Sequence, residues 1–405
     1  MRAARASATL NRLHSNGNVV HIVDITMFYA AEAGGVRTYL TAKTEWLKRQ
    51  ARFRHTVVGP AYGKRQADPL SFIGLPSAPI PCGNGFRLPY SMRAATRVLR
   101  ALKPDLIEAG DPYTCAWAAL RAREELNVPV VAYYHSDLPR IAEHRFGAGA
   151  RRLAEKYVAS LYGRFDLVFA PSRPIAERLR ALGIEQVRHQ PLGVDTAIFS
   201  PVRRDSGLRA RLGLPPEARL LVYAGRFTRE KKLRVLMQAI RLLGDPYHLL
   251  LVGNGDALPM PAWRVIRLPF QRDPRVLAAV IASCDALVHP GDQETFGLIV
   301  LEAMACGVPV VGVAAGGVAE LIDDDTGVLV APGDAEALAA GIDALYRGDL
   351  RGRRDLRHRG ENGRRKALAR YDWSLIIPQL VAQYADLLAA RQRAVPQVGL
   401  PYAAE

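Results

Sequence analysis

The residues with chemistry to offer gather in the stretch His289-Pro-Gly-Asp-Gln-Glu294-Thr-Phe296-Gly297-Leu298-Ile-Val-Leu-Glu302-Ala-Met-Ala-Cys-Gly307. An apolar run ends at His289. A helical pattern starts near Thr295 to Gly297 and stops at Gly307, a suitable C-terminal cap. Phe296, Gly297 and Leu298 would leave backbone N–H groups free at the helix start, where orphan donors and the helix dipole both favour an anion. Gly297 also lets a ligand approach the backbone closely. Glu294 precedes the helix and Glu302 lies two turns inside it, so at 1.5 Å per residue the two are ~12 Å apart. Carboxylates that hydrolyse a glycosidic bond stand roughly 5–9.5 Å apart. This pair is too wide for that task, but it can hold opposite ends of one long ligand with phosphates between. Taken alone, the two glutamates read better as solvated residues on an ordinary helix; the Gly-containing loop and its place after a strand turn the reading towards function.

Cations stand nearby in the sequence. Arg226 and Lys231 follow the apolar run Leu220–Ala224. A diphosphate leaving group gains negative charge as its sugar bond breaks, and fixed cations stabilise that charge without proton transfer. If these cations and the helix N-termini suffice, no metal is needed. The Asp323-Asp324-Asp325 run reads as a solvated turn. Gly34-Gly35 opens a helix over Val36–Gln50 and gives backbone access to phosphate or sugar. It is not a dinucleotide fingerprint, because GxGxxG is absent. His135 ends the run Val130–Tyr134, and the carboxyl edge of a parallel sheet is where ligands bind.

These residues need a scaffold that carries strand ends to one place. Val-, Ile- and Leu-rich runs recur at Val19–Phe28, Thr56–Gly59, Leu106–Ala109, Val130–Tyr134 and Leu167–Ala170. They recur again at Leu220–Ala224, Leu249–Val252, Val265–Leu268, Ala286–His289, Val310–Val313 and Val328–Val330. Runs without alternation suit strands buried on both faces, hence parallel sheets flanked by helices. The rhythm occurs twice, so the α/β class and two doubly wound domains are expected. Ser200–Ala218, rich in Pro, Gly and Arg, reads as a linker. Trp373–Ala390 is the last strong helix, and Val395–Glu405 reads as a frayed tail.

A chain of 405 residues fits two domains. Its 55 Lys and Arg against 39 Asp and Glu give +16, which predicts an anionic partner: nucleic acid, anionic lipid or a phosphorylated substrate. No nucleic-acid motif accompanies the charge. Cys82, Cys115, Cys284 and Cys306 are far apart, so neither a zinc site nor a disulfide framework is indicated, and a reducing cytoplasm fits. No apolar run approaches the ~20 residues of a membrane span. Met1–Asn18 is acid-free and Arg-bearing, which leaves an organellar transit peptide or a ragged start open. Basic clusters stand at Arg87, Arg93, Arg97, Arg100 and Lys103, at Arg140, Arg145, Arg151, Arg152 and Lys156, and over Arg351–Lys366.

Glu294 and Glu302, with seven residues between them and Phe296-Gly297 after the first, resemble the signature of the large GT-B family of retaining glycosyltransferases. The resemblance spans nearly the whole chain. Gly34-Gly35-Val36 is similar to the family's first glycine-rich loop and Pro191-Leu192-Gly193-Val194-Asp195 to its interdomain crossover. Val222-Tyr-Ala-Gly225-Arg226 with Glu230-Lys231 is similar to the diphosphate-binding segment, and Gly316-Gly317-Val-Ala-Glu320 to the end of the second domain.

The resemblance implies two Rossmann-like domains facing a cleft. The acceptor-side domain would span 1–198, with a returning helix over 373–392, and the nucleotide-sugar domain 199–372. Glu294 would contact the donor sugar, Glu302 the ribose hydroxyls, and His135 the transferred sugar. Gly34, Gly35, Gly225, Phe296, Gly297 and Leu298 would line the donor site. Two departures stand out: Lys232 replaces the family's glycine after Glu-Lys, and Leu192 replaces the asparagine of the crossover. The Tyr-His-Ser-Asp wording around His135 is similar to the lipid-directed branch. The expectation is therefore a hexosyltransferase, metal- and cofactor-independent, taking GDP-mannose, or else a UDP-sugar, to a lipid or glycan acceptor. It would work in the cytoplasm, peripherally at an anionic membrane face, and without nucleic acid. The competing reading is a basic membrane- or nucleic-acid-binding protein with a dead cleft.

Overall fold

In the computed structural model, residues 19–29, 34–62, 71–80, 85–255, 264–347 and 356–394 are described. The expectations for Met1–Asn18, for Val395–Glu405 and for Cys82 lie outside these residues. Cys115, Cys284 and Cys306 are buried free thiols.

The apolar runs become strands of two parallel sheets. The first sheet has seven strands. Their order is Phe72–Leu75, Phe53–Pro60, Val20–Ile25, Leu106–Ala109, Val130–Tyr133, Leu167–Ala170, Val187–His189. The second has six. It runs Val265–Leu268, Tyr247–Val252, Arg219–Ala224, Ala286–His289, Val310–Val313, Gly327–Val330. Every neighbouring pair in both sheets is parallel. Central strands such as Leu106–Ala109 and Ala286–His289 are buried at every residue, which explains their unbroken apolar reading. The short strands Phe72–Leu75 and Val187–His189 and the antiparallel hairpin Ser77–Pro79/Arg87–Pro89 have no counterpart in the sequence reading. Most of their residues are partly or fully exposed, so they lack the unbroken apolar run that marks the four-residue central strands.

In each sheet the chain reverses its winding direction once. The first reversal lies between Val20–Ile25 and Leu106–Ala109, the second between Arg219–Ala224 and Ala286–His289. The carboxyl ends of strands at such a point diverge into a crevice.

Ser200–Ala218 is not a slack linker. It forms a 3-10 turn, Pro201–Arg203, and a short helix, Leu208–Arg211. The Asp205 N–H donates to Ser283 Oγ at 2.8 Å, and Arg209 pairs with Asp285 at 2.6 Å. Its Pro and Gly content signalled turns correctly, but the fastening comes from residues over seventy positions away. The two crossings between domains are zipped together. Val194 N–H donates to Tyr371 O at 2.8 Å and Trp373 N–H to Val194 O at 3.2 Å. Gly193 is required here, because a Cβ would lie 2.7 Å from the Trp373 ring.

The closing helix, Trp373–Ala394, packs against the first domain beside the Gly35–Lys48 helix. A buried charge network fastens it. Lys43 Nζ donates to Asp24 and to Tyr384, each at 2.8 Å, and lies 3.3 Å from Glu108. Tyr39 and Tyr384 donate to the two oxygens of Glu108. His55 binds the other oxygen of Asp24, with Thr44 on its Nδ1 at 2.7 Å. Burial opposes the charge on Asp24, but Lys43 and His55 outweigh it and hold the carboxyl well below its usual range. Burial pushes Glu108 up to about 7.

Candidate functional site

The two crevices face each other, and the expected site residues line them. Arg226 and Lys231 follow the Arg219–Ala224 strand, and Glu294 follows Ala286–His289, on either side of the second reversal. Gly34 and Gly35 open the helix that follows Val20–Ile25, and His135 follows Val130–Tyr133.

The Leu298–Ala305 helix starts one residue after Gly297, whose φ of 103° is a left-handed conformation that favours glycine. The turn leaves the N–H groups of Phe296, Gly297, Leu298 and Ile299 with no acceptor among the described residues. These are the orphan donors that bind an anion. Phe296 itself is buried and packs near Tyr371, anchoring the turn. Across the cleft, Gly34 caps the Gly35–Lys48 helix. A Cβ on Gly35 would lie 3.0 Å from Leu298 Cδ1. Two helix N-termini, one from each domain, therefore converge on one spot.

Beside that spot Glu294 is held by two donors on a single oxygen. Lys231 Nζ forms a short ion pair with Oε1, and His289 Nε2 lies 3.1 Å from the same atom. Burial opposes ionisation here, but Lys231 and His289 outweigh it and hold Glu294 well below the usual carboxylate range. Oε2 has no partner among the described residues. Glu302, about one turn into the helix, is the opposite case. It has no side-chain partner among the described residues, and burial pushes it up to about 8. A carboxyl in that condition is ready to accept hydrogen bonds from a ligand's hydroxyls.

Gly225 sits at the strand end, where a Cβ would meet the Tyr223 hydroxyl at 3.1 Å. Arg226 is exposed towards the cleft, its guanidinium 5.6 Å from the ring of Phe86 in the other domain. Lys232, in place of the family glycine, adopts a left-handed φ of 52°, and the next helix starts at Leu233. The departure thus keeps the backbone shape that glycine would give, with strain in its place.

His135 stacks on Tyr133, ring centroids 4.4 Å apart, with Tyr39 at 5.4 Å. Burial lowers it to about 3, so the ring is neutral and donates or accepts without acting as an acid near neutral pH. The Glu294 loop is tied to it. Thr295 Oγ1 donates to His135 O at 3.1 Å, and Ser172 Oγ donates to Thr295 O at 2.8 Å. Arg140 donates to Asp292 O at 2.8 Å. His289, Thr295, Ser172 and Arg140 were missed as site residues in the sequence. His289 ends its strand and His135 lies two residues past the end of its own, and a histidine at a strand's carboxyl edge was the available signal.

The basic clusters divide into bonded and exposed residues. Arg140 ties the domains, and Arg87 is bound to Ser77. Arg359 and Arg364 turn inward onto the carbonyls of Asp324, Gly327, Phe199 and Ala305, and Lys366 onto Leu321 and Asp323. That helix is basic because it caps loops; residues 351–355 lie outside the described residues. Beside Arg87, Phe86 packs on Phe28 and Leu88 against the core of the first domain. Arg145, Arg152 and Lys156 remain exposed, beside Ile141, Phe146 and Leu153, on the helix pair Leu138–Phe146 and Ala148–Tyr162. Asp323 accepts from Thr326 at 2.9 Å and from Lys366 at 2.7 Å.

Comparison with known proteins agrees with this fold. Residues 33–198 match the model of Glycosyltransferase Family 4, and 218–348 that of Glycosyl transferases group 1. The chain is 34% identical over 299 residues to a GDP-mannose-dependent alpha-mannosyltransferase of Mycolicibacterium smegmatis, covering 73% of this chain and 76% of that one. It is 31% identical to the sulfoquinovosyl transferase SQD2 of Arabidopsis thaliana, covering 75% of this chain and 62% of that one. Its fold is similar to a sucrose-phosphate synthase from Thermosynechococcus elongatus, with a TM-score of 0.75 and 24% identity, covering 92% and 100% of the two chains. The architecture is GT-B.

Proposed function

The chain belongs to the glycosyltransferases, and on that premise we propose that it moves mannose from GDP-mannose to a lipid or glycan acceptor, with retention and without a metal. The carrying observation is the convergence of the two helix N-termini, at Gly35 and Leu298, beside the Lys231–Glu294 pair. Four orphan N–H groups with Lys231 beside them, and Arg226 on the same strand's exit, suit a diphosphate.

Glu302 takes the ribose hydroxyls and the helix N-termini take the diphosphate. Glu294 Oε2 takes a hydroxyl of the sugar, and the neutral His135 reaches the sugar from the other domain. As the sugar C1–O bond breaks, charge grows on the departing diphosphate, where Arg226, Lys231 and the N–H groups stabilise it. The acceptor hydroxyl attacks from the same face and passes its proton to the leaving oxygen. A mannose donor is supported by the mannosyltransferase likeness, and a UDP-sugar is the alternative.

The acceptor side rests on the helix pair after His135. Among the described residues no helix is long and apolar enough to cross a membrane. Exposed Ile141, Phe146 and Leu153 beside Arg145, Arg152 and Lys156 give this pair the composition of a surface that docks on anionic lipid.

The test is release of nucleoside diphosphate from GDP-mannose, UDP-glucose and UDP-N-acetylglucosamine. Each is offered with phosphatidylinositol vesicles or with soluble mannosides, with and without EDTA. GDP-mannose should be consumed fastest, in EDTA as well, giving an α-linked product by NMR. Preference for a UDP-sugar would overturn the donor, and an inverted product the retention. Loss of activity in EDTA restored by manganese would overturn the leaving-group account.

A further inference from the structure

His289 lies within the Glu294 motif, yet nothing so far requires a histidine there. Its side chain is 2% exposed. Nε2 faces Glu294 Oε1 at 3.1 Å, and Nδ1 is buried with no partner among the described residues. A buried polar atom without a partner is costly, and an apolar side chain of the same size would avoid that loss. The imidazole is therefore retained for what Nε2 does.

What Nε2 does follows from the traffic on Glu294. Oε1 takes both Lys231 and His289, whereas Oε2 is left open. Lys231 is a long, flexible side chain that the diphosphate also attracts. His289 ends a buried strand and has little freedom to move. We infer that His289 is a positioning residue: Nε2–H holds Oε1 of Glu294 so that Oε2 stays aimed at the donor sugar while Lys231 turns to the diphosphate. This rests on the assignment of Glu294 to the sugar.

Three variants separate the two ring nitrogens. His289→Gln places an amide N–H near the position of Nε2. His289→Asn reaches only the position of Nδ1, and His289→Leu keeps neither. The first readout is the affinity gain of GDP-mannose over GDP, and of UDP-glucose over UDP, by calorimetry. The second is the split of kcat from donor KM. His289→Leu and His289→Asn should lose the gain contributed by the sugar and about tenfold to hundredfold in kcat, as expected for a misplaced catalytic group. Their affinity for the free nucleotide should stay within about twofold and their melting temperature close to the parent's, since Glu302 and the core are untouched. His289→Gln should recover most of both losses.

Glu294→Gln is run alongside. If it binds nucleotide sugars as the parent does, the assignment of Glu294 falls and the inference falls with it. If Glu294→Gln is impaired but His289→Leu is not, or if Gln and Asn are equally impaired, the positioning role alone is overturned. Loss of free-nucleotide affinity and of melting temperature in all three His289 variants would make the residue a structural one and overturn it too.

Discussion

Replacing Lys43 by methionine tests the buried charge network directly. The two side chains are of similar length, so little space is left behind. What disappears is an ammonium bonded to Asp24 and Tyr384 at 2.8 Å and lying 3.3 Å from Glu108. Lys43 is fully buried and Asp24 and Glu108 nearly so. Removing one partner from such a cluster costs about 3–5 kcal/mol, because the remaining charge is left buried and uncompensated. Against a typical total stability of roughly 5–15 kcal/mol, that is a large share.

The pH dependence gives a second handle on the same change. In the parent, the lowered pKa of Asp24 contributes stability above its unfolded value near 3.8, and this is lost as pH falls. Without Lys43 the burial of Asp24 prevails and its pKa rises. A raised carboxyl contributes stability that is present at low pH and lost as pH rises. The deficit of Lys43→Met should therefore be widest near about pH 7.5 and narrow towards about pH 5. Urea unfolding followed by tryptophan fluorescence at both pH values measures it. A deficit under about 1 kcal/mol at the higher pH, or one that does not change with pH, would refute the account.

Other outcomes follow from the site. Glu302→Gln should flatten the stability profile of the free protein. The raised Glu302 carboxyl gives stability below about 4.5 that is lost as pH rises through about 8. A thermal-shift series showing the parent's slope unchanged in the variant would remove Glu302 as its source. In the parent, GDP affinity should rise with pH up to about 8, because ribose hydroxyls bind the ionised form better; calorimetry showing a flat profile would count against the ribose contact. Phe146→Ser with Leu153→Ser should weaken flotation with phosphatidylglycerol vesicles while leaving donor hydrolysis alone, and equal flotation on neutral vesicles would dismiss the docking surface. Lys232→Gly should raise stability by up to about 1 kcal/mol by relieving the left-handed residue, and a lowered melting temperature would show that no strain was stored there.

How much of this was readable in advance depended on distance along the chain. The Glu294-to-Glu302 spacing, the Gly297 turn and the buried strands are local patterns, and one sequence displays them. The His289–Glu294 contact is local too, but a single histidine has many uses, and only its packing shows which nitrogen is engaged. Arg359 and Arg364 counted only as members of a basic cluster, because composition cannot show that a guanidinium has turned onto a carbonyl. The Lys43 network was invisible for a different reason. Lys43 sits on a helix whose sign of function is its glycine start, more than two turns away, and its partner Tyr384 lies 341 positions later.

That separation has a consequence for how the chain is made. Ribosomes add roughly 5–20 residues each second, so Tyr384 emerges roughly 20–70 seconds after Lys43. Until then Glu108 lacks one of its two tyrosine donors and Lys43 has Asp24 but not the Tyr384 hydroxyl, while the sheet that carries His135 is otherwise complete. The earlier of these two domains to leave the ribosome is thus the later to be sealed. A nascent chain would expose the seat of the closing helix throughout the synthesis of the nucleotide-binding half, which makes that seat a natural place for a chaperone to hold.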